Sequence, residues 1–223
     1  MGSGQPARRR SSPERSPGTP SVATKVRVVA GKWGGRTIHA PRGTSVRPTT
    51  DRVREAVFSM LGDDVEGSVL LDLFAGTGAM AIEALSRGAA GAVLVETSPA
   101  ALSALRANLA SLKADGAVCL PLDFREAVRR LSAKGKAFDL VFLDPPYGKG
   151  LVGLSAELLS RAGILAPGAV VVAERAFRDP VESLPSGWRE RADRRYGDTR
   201  ITLYDIPGPC GQAPPGGQKQ ENR

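Results

Sequence analysis

From residue 69 onward, short apolar runs alternate with longer stretches whose apolar residues recur every three or four positions. Val69–Leu73, Ala92–Glu96, Ala117–Leu120, Phe138–Leu143 and Ala169–Glu174 are the short runs. Their continuous apolar character reads as strands buried on both faces. Ala79–Arg87, Pro99–Leu112, Phe124–Leu131 and Leu151–Arg161 carry the helical period. This alternation predicts an α/β fold, a doubly wound and mostly parallel sheet. Ligands bind such sheets at the carboxyl ends of the strands. Arg189–Arg195 and Arg200–Ile206, joined at Gly197-Asp198, read as a final antiparallel pair.

Upstream the pattern changes. Lys25–Ala30 and Arg36–Ala40 read as short strands, with Gly31, Gly34 and Gly35 turning the chain between them. A basic loop follows, and Val53, Ala56, Val57, Met60 and Leu61 then repeat at helical spacing. Thr50 is placed to cap that helix, with Asp51 in its first turn. Residues 1–24 and 207–223 are rich in small, polar, Gly and Pro residues and read as disordered tails. The expected organisation is a tail (1–24), a hairpin with its basic loop (25–48), a main domain (49–206) and a second tail (207–223).

A chain of 223 residues with 41% hydrophobic content supports one well-packed domain with small additions. No run of eighteen apolar residues exists, so no membrane association is expected. The basic N-terminus lacks an apolar core segment and does not read as a secretory signal. Cys119 and Cys210 lie far apart without metal-ligand spacing, which argues against a disulfide framework or metal site and fits the cytoplasm.

The net charge of +8 is uneven. Lys25, Arg27, Lys32, Arg36, Arg42, Arg47, Arg52 and Arg54 face one acid, Asp51, between residues 25 and 54. Residues 69–146 hold eight basic and eight acidic side chains. A basic module beside a neutral one points to a polyanion surface next to a ligand domain. A merely solvated basic face explains the charge equally well.

The first strand of the main domain ends in Asp72-Leu73-Phe74-Ala75-Gly76-Thr77-Gly78. Glycines there let the backbone approach a ligand. Gly76, Gly78 and Ala81 also fit a dinucleotide fingerprint, with Glu96 at the ribose position, so a nicotinamide enzyme is a rival reading. Glu96 is placed to accept both hydroxyls of a ribose. Asp123 and Phe124 are placed to take an adenine amine and cover its ring, although Asp123 also suits an ordinary helix cap.

Asp144-Pro145-Pro146-Tyr147 tips the balance. Two prolines stiffen the turn and remove two N–H donors. A carboxylate and rigid carbonyls remain, all acceptors, beside an aromatic face. Asp144 and the Pro145 carbonyl can take the hydrogens of a base amine, while Tyr147 stacks on the ring and its hydroxyl is expected to matter little. Hydride transfer has no use for this set. An exocyclic amine is a poor nucleophile, and fixed acceptors favour the tetrahedral nitrogen that gains positive charge during alkylation. The combined motifs predict amino-group methylation from S-adenosylmethionine, with no metal.

These motifs resemble those of the bacterial 16S ribosomal RNA guanine-N2 methyltransferases. The similarity rests on Arg27–Gly31 and Gly34–Arg36, on Arg47–Glu55, and on Asp72–Gly78 followed by Glu83–Ala89. It covers residues 25–206 and is weakest after Tyr147. It implies a seven-stranded, Rossmann-like methyltransferase sheet with its last strand antiparallel and an N-terminal hairpin used on RNA. It also implies an assembled or assembling small ribosomal subunit as substrate, and a monomer is expected. The cofactor residues are then Asp72, Phe74, Ala75, Gly76, Gly78, Glu96, Asp123 and Phe124. The RNA contacts are Lys25, Arg27, Lys32, Arg36, Arg47 and Arg52. Adenine N6 or cytosine N4 in DNA or RNA is the alternative target, since Asp-Pro-Pro-Tyr marks amino methylation generally. Trp33 and Trp188 read as packing residues and His39 as a surface residue. Arg47, Thr49 and Thr50 either close over the cofactor or simply cap the helix.

Overall fold

The computed structural model describes Met1 and residues 25–40, 51–180 and 182–208. Arg47, Pro48, Thr49, Thr50 with its expected cap, the side chain of Lys25 and the tail residues 2–24 and 209–223 lie outside the described residues.

The apolar runs form β3 (Val69–Asp72), β4 (Gly91–Val95), β5 (Ala117–Leu120), β6 (Phe138–Leu143) and β7 (Leu165–Ala176). β8 (Arg189–Tyr196) and β9 (Thr199–Asp205) complete a seven-stranded sheet of order β5-β4-β3-β6-β7-β9-β8. β3 to β7 pair in parallel, and β9 enters antiparallel between β7 and β8. The doubly wound, mostly parallel sheet is therefore as expected, with the chain's last strand antiparallel.

α2 (Ala79–Ser86), α3 (Pro99–Leu112), α4 (Phe124–Ala133) and α5 (Leu151–Ala162) connect the strands. One face of the sheet packs on α2, α3 and α1 (Asp51–Leu61), through Leu70, Leu94, Leu140, Leu105, Ile82 and Phe58. The other face packs on α4 and α5 through Leu71, Val141, Val171, Val128 and Leu159. Burial on both faces is why the inner strands read as unbroken apolar runs; β5, expected to be buried as well, lies at the sheet edge with no buried residue and with Val118 exposed. Trp188 joins the second core, tilted on Tyr204 at 5.8 Å with its Nε1 donating to Ser160 Oγ at 3.0 Å.

β7 begins at Leu165, four residues before the apolar run. Leu165 pairs with Phe138, and the register shifts before Leu140 meets Val170. Pro167-Gly168 within that stretch hides the strand from its sequence.

β1 (Lys25–Arg27) and β2 (Thr37–His39) form a separate antiparallel sheet, shorter than predicted. A 3-10 turn at Gly31–Trp33 links them. The chain leaves ladder pairing at Val29 because its backbone is captured by α2. The fully buried Glu83 carboxylate accepts Val29 N at 2.7 Å, Ala30 N at 3.0 Å and Arg87 Nε at 2.8 Å. Ser86 Oγ accepts Trp33 N at 2.9 Å and donates to Ala30 O at 2.5 Å. Gly31 lies so close to α2 that a Cβ would sit 1.9 Å from Ser86 O, with φ at +79°. Asn108 of α3 holds the other strand, accepting His39 N at 2.9 Å and donating to His39 O at 3.0 Å. Trp33 is buried, so it packs.

Candidate active site

The carboxyl ends of β3, β4, β6 and β7 surround a cavity of about 630 Å³, a size typical of a small-molecule site. The turn after β3 supplies Phe74, Ala75, Gly76 and Thr77 to its wall. Gly78 starts α2 in a left-handed conformation at φ +80°, and a Cβ there would meet Leu105 Cδ1 at 2.4 Å. Glycine at 78 thus lets the loop turn while α3 packs beneath it. β4 supplies Glu96, then Thr97 and Ser98. The hairpin contributes Val26.

Glu96 is clamped in place. Its Oε2 accepts Gly76 N at 2.9 Å, and its Oε1 accepts Thr97 N and Ser98 N, both at 2.7 Å. A carboxylate has about four acceptor positions. Three are used by backbone, so Glu96 has room for about one ligand hydroxyl, fewer than its sequence position implied.

Asp72 is buried beneath the loop, with Oδ1 accepting Phe74 N at 3.3 Å. Burial, and next the Glu96 charge, raise its pKa to about 7 against the pull of the Phe74 N–H. Asp144 continues β6 beyond Leu143 and lines the same cavity. Burial holds its carboxyl well above the ordinary range, helped by the charges of Glu174 and Asp72.

The described lining contains Asp72, Glu96, Asp144 and Glu174, and no Lys, Arg or His. An acidic wall with no basic side chain among its described residues offers the pyrophosphate of a dinucleotide no partner. It suits a cation rich in hydrogen-bond donors, and S-adenosylmethionine offers a sulfonium, an ammonium and ribose hydroxyls.

Pro145 is buried, Pro146 is exposed and Tyr147 is half-buried at the cavity wall. The Tyr147 hydroxyl donates to Glu174 Oε1 at 2.6 Å and lies 3.3 Å from Thr199 Oγ1. Burial, then the Glu174 bond, push its pKa upward, so it stays a donor. The hydroxyl thus has a structural anchor that stacking alone did not predict. Glu174 and Thr199 were missed by sequence reasoning. The available signal was position, because Glu174 ends its apolar run as Glu96 and Asp144 end or follow theirs.

Asp123 and Phe124 do not line the cavity. Asp123 caps α4, accepting Arg125 N at 2.9 Å. Phe124 is buried and meets the site through Phe74, ring to ring at 5.2 Å.

The basic residues around the hairpin divide by role. Arg54 is buried, donating to Arg27 O at 2.5 Å and pairing with Asp51 at 2.8 Å. Arg36 donates to Ser111 O at 3.1 Å on α3. Arg27 and Arg52 are exposed, as is Lys32, whose Nζ sits 4.3 Å over Trp33. His39 is exposed.

A family model described as "Conserved hypothetical protein 95" matches residues 26–205. The chain belongs to this family. The match runs from β1 to the last residue of β9, so all of the residues that line the cavity lie within the family's span. Ribosomal RNA small subunit methyltransferase D of Escherichia coli K12 is 37% identical over 184 residues, covering 82% of this chain and 91% of that protein. Its Haemophilus influenzae namesake is 32% identical over 191 residues, covering 83% and 96%. The solved structure of yhhF from Escherichia coli aligns with a TM-score of 0.75 at 33% identity, covering 83% of this chain and 100% of that one.

Proposed function

We infer that the chain is an S-adenosylmethionine-dependent methyltransferase of small-subunit ribosomal RNA, and that it modifies the N2 amine of a guanine. The observation that carries this reading is the meeting of Asp144-Pro145-Pro146-Tyr147 with Asp72 and Glu96 around one acidic cavity. The chain's similarity to ribosomal RNA small subunit methyltransferases D supports the substrate class.

Asp72 sits where it can face a cationic part of the cofactor, and Glu96 takes a ribose hydroxyl. The bound cofactor supplies a methyl group already activated by its sulfonium. Tyr147, held by Glu174 and Thr199, presents a ring face to a base drawn out of its stack. Asp144 and the Pro145 carbonyl accept the amine hydrogens and aim the nitrogen lone pair at the methyl. Once bound, the cofactor would give up its methyl group to that nitrogen and keep the bonding electron pair on sulfur. The nitrogen would then shed a proton, with the Asp144 carboxylate the acceptor that lines the cavity beside it. Fixed acceptors stabilise the charge on nitrogen, and alignment in favourable cases is worth ~7–11 kcal/mol.

Exposed Arg27, Lys32 and Arg52 contact RNA phosphates in this reading, within an assembling small subunit in the cytoplasm, with the enzyme acting as a monomer. Among the described residues, no helix is long and apolar enough to cross a membrane.

Transfer of tritiated methyl groups to small ribosomal particles, naked ribosomal RNA and DNA tests the reading, with the product nucleoside identified. N2-methylguanosine in ribosomal RNA is expected. N6-methyladenosine, N4-methylcytidine or label in DNA alone would overturn it.

A further inference from the structure

Leu143 of β6 pairs with Ala173 of β7 in parallel register. The next residues, Asp144 and Glu174, are therefore neighbours at the ends of adjacent strands, which run about 4.8 Å apart. Both line the cavity. Like charges directly opposite on a sheet are destabilising. Two adjacent carboxylates at a cavity wall are an arrangement that a ligand with two adjacent donors relieves.

The candidate base edges differ in this respect. Guanine presents its N2 amine beside the ring N1–H, two donors in a row. The N6 amine of adenine is flanked by N1, and the N4 amine of cytosine by N3, each a lone pair. A second carboxylate beside the amine acceptor meets a donor on guanine and a lone pair on the others.

We propose that Glu174 is the specificity residue of the base pocket, accepting the guanine N1–H while Asp144 accepts the neighbouring N2 amine. This assignment rests on the guanine reading above. Glu174 takes the Tyr147 hydroxyl through Oε1 at 2.6 Å, as an acceptor. A carboxylate has about four acceptor positions, so this bond and one to the base are compatible. The same side chain then positions the stacking ring and reads the base edge. The charge of Glu174 also contributes to the raised pKa of Asp144, consistent with their proximity. Sites built around a substrate N–H reject analogues lacking it, because their own polar group is left unpaired.

The test uses the full-length chain and ligated ribosomal RNA, assembled into particles where assembly is required. The guanine methylated by the wild type is compared with 2-aminopurine at that position, which keeps the N2 amine and replaces N1–H by a lone pair. The wild type should methylate 2-aminopurine at least roughly 100-fold more slowly. Glu174→Gln, whose amide can donate to that lone pair and whose carbonyl can still accept N1–H, should lower activity on guanine and narrow the ratio to within about tenfold. Glu174→Ala, with neither donor nor acceptor, should also narrow it. Tyr147→Phe removes the hydroxyl and keeps the carboxylate, so it should slow both substrates and leave the ratio high. A ratio unchanged in both Glu174 variants would reduce Glu174 to an anchor for Tyr147 and overturn the assignment. So would a wild type indifferent to 2-aminopurine. A wild-type product other than N2-methylguanosine overturns the guanine reading itself and this assignment with it.

Discussion

The Glu96 carboxylate accepts the backbone N–H of Gly76 at 2.9 Å, so an acid at the end of β4 holds the loop at the end of β3. With Thr97 and Ser98 on its other oxygen, it shapes the cavity before a ligand arrives. Glu96→Ala removes these bonds together with any ligand contact. S-adenosylhomocysteine binding should weaken by at least about 2 kcal/mol, the scale of a lost charge-assisted hydrogen bond. Calorimetry checks this, and unchanged affinity would remove Glu96 from the cofactor site.

Asp72 is expected to make both stability and cofactor binding depend on pH. Its folded pKa, about 7, lies above the ordinary value of 3.8. The folded state therefore binds the proton more tightly than the unfolded chain. The associated stability is full below pH 3.8 and is lost as pH rises through about 7. Asp72→Asn should flatten that part of the unfolding profile of the ligand-free protein. The ammonium that S-adenosylhomocysteine keeps would favour the ionised form of a neighbouring carboxylate, so its affinity should rise by up to roughly tenfold per pH unit below about 7 and level off above it. Calorimetry at several pH values reads this, and a flat wild-type profile would contradict it.

Tyr147 separates ring from hydroxyl. Tyr147→Ala should lower kcat/KM by the equivalent of ~1–3 kcal/mol, the usual worth of base stacking. Tyr147→Phe should cost about 1 kcal/mol through the lost bond to Glu174. Steady-state kinetics on ribosomal particles distinguishes the two. Equal losses would mean that the hydroxyl, not the ring face, does the work.

RNA affinity should fall with salt, and exposed cations should set the slope. Replacing Arg27, Lys32 and Arg52 by Ala should reduce the slope of log affinity against log salt by about 2–3, roughly one per phosphate contact. Cofactor affinity should stay unchanged. Filter binding across a salt series measures the slope, and an unaltered value would place the RNA elsewhere.

Glu83→Ala should destabilise the fold by about 3 kcal/mol, since two backbone N–H groups and Arg87 lose their acceptor. Glu83→Gln, which keeps one carbonyl acceptor, should cost less. Chemical denaturation gives both values, and near-wild-type stability of Glu83→Ala would show water replacing the carboxylate.

What was legible in the sequence followed from local chemistry. Strands buried on both faces announce themselves as apolar runs, and a rigid run such as Asp144–Tyr147 declares its acceptors. Contacts between distant segments left no such trace. Nothing in α2 says that Glu83 captures the backbone at residues 29 and 30. The early start of β7 was masked by Pro167-Gly168. Asp123 was ambiguous between cap and ligand, and the structure shows it bonded as the cap. The Arg54 charge counted toward a polyanion surface, yet its guanidinium is buried on Asp51 and the Arg27 carbonyl.

The anchoring of the hairpin by Glu83, Ser86 and Asn108 bears on how a large substrate is met. A floppy arm must lose conformational freedom on docking, and that loss subtracts from affinity. Here the arm is already fastened to the helices that follow the glycine loop and Glu96. Its amides at Val29, Ala30, Trp33 and His39 should exchange with deuterated solvent in step with α2 and α3, not at the pace of a fraying terminus. An RNA substrate then encounters a rigid template, and discrimination between correctly and incorrectly shaped RNA falls to the RNA's own ability to conform.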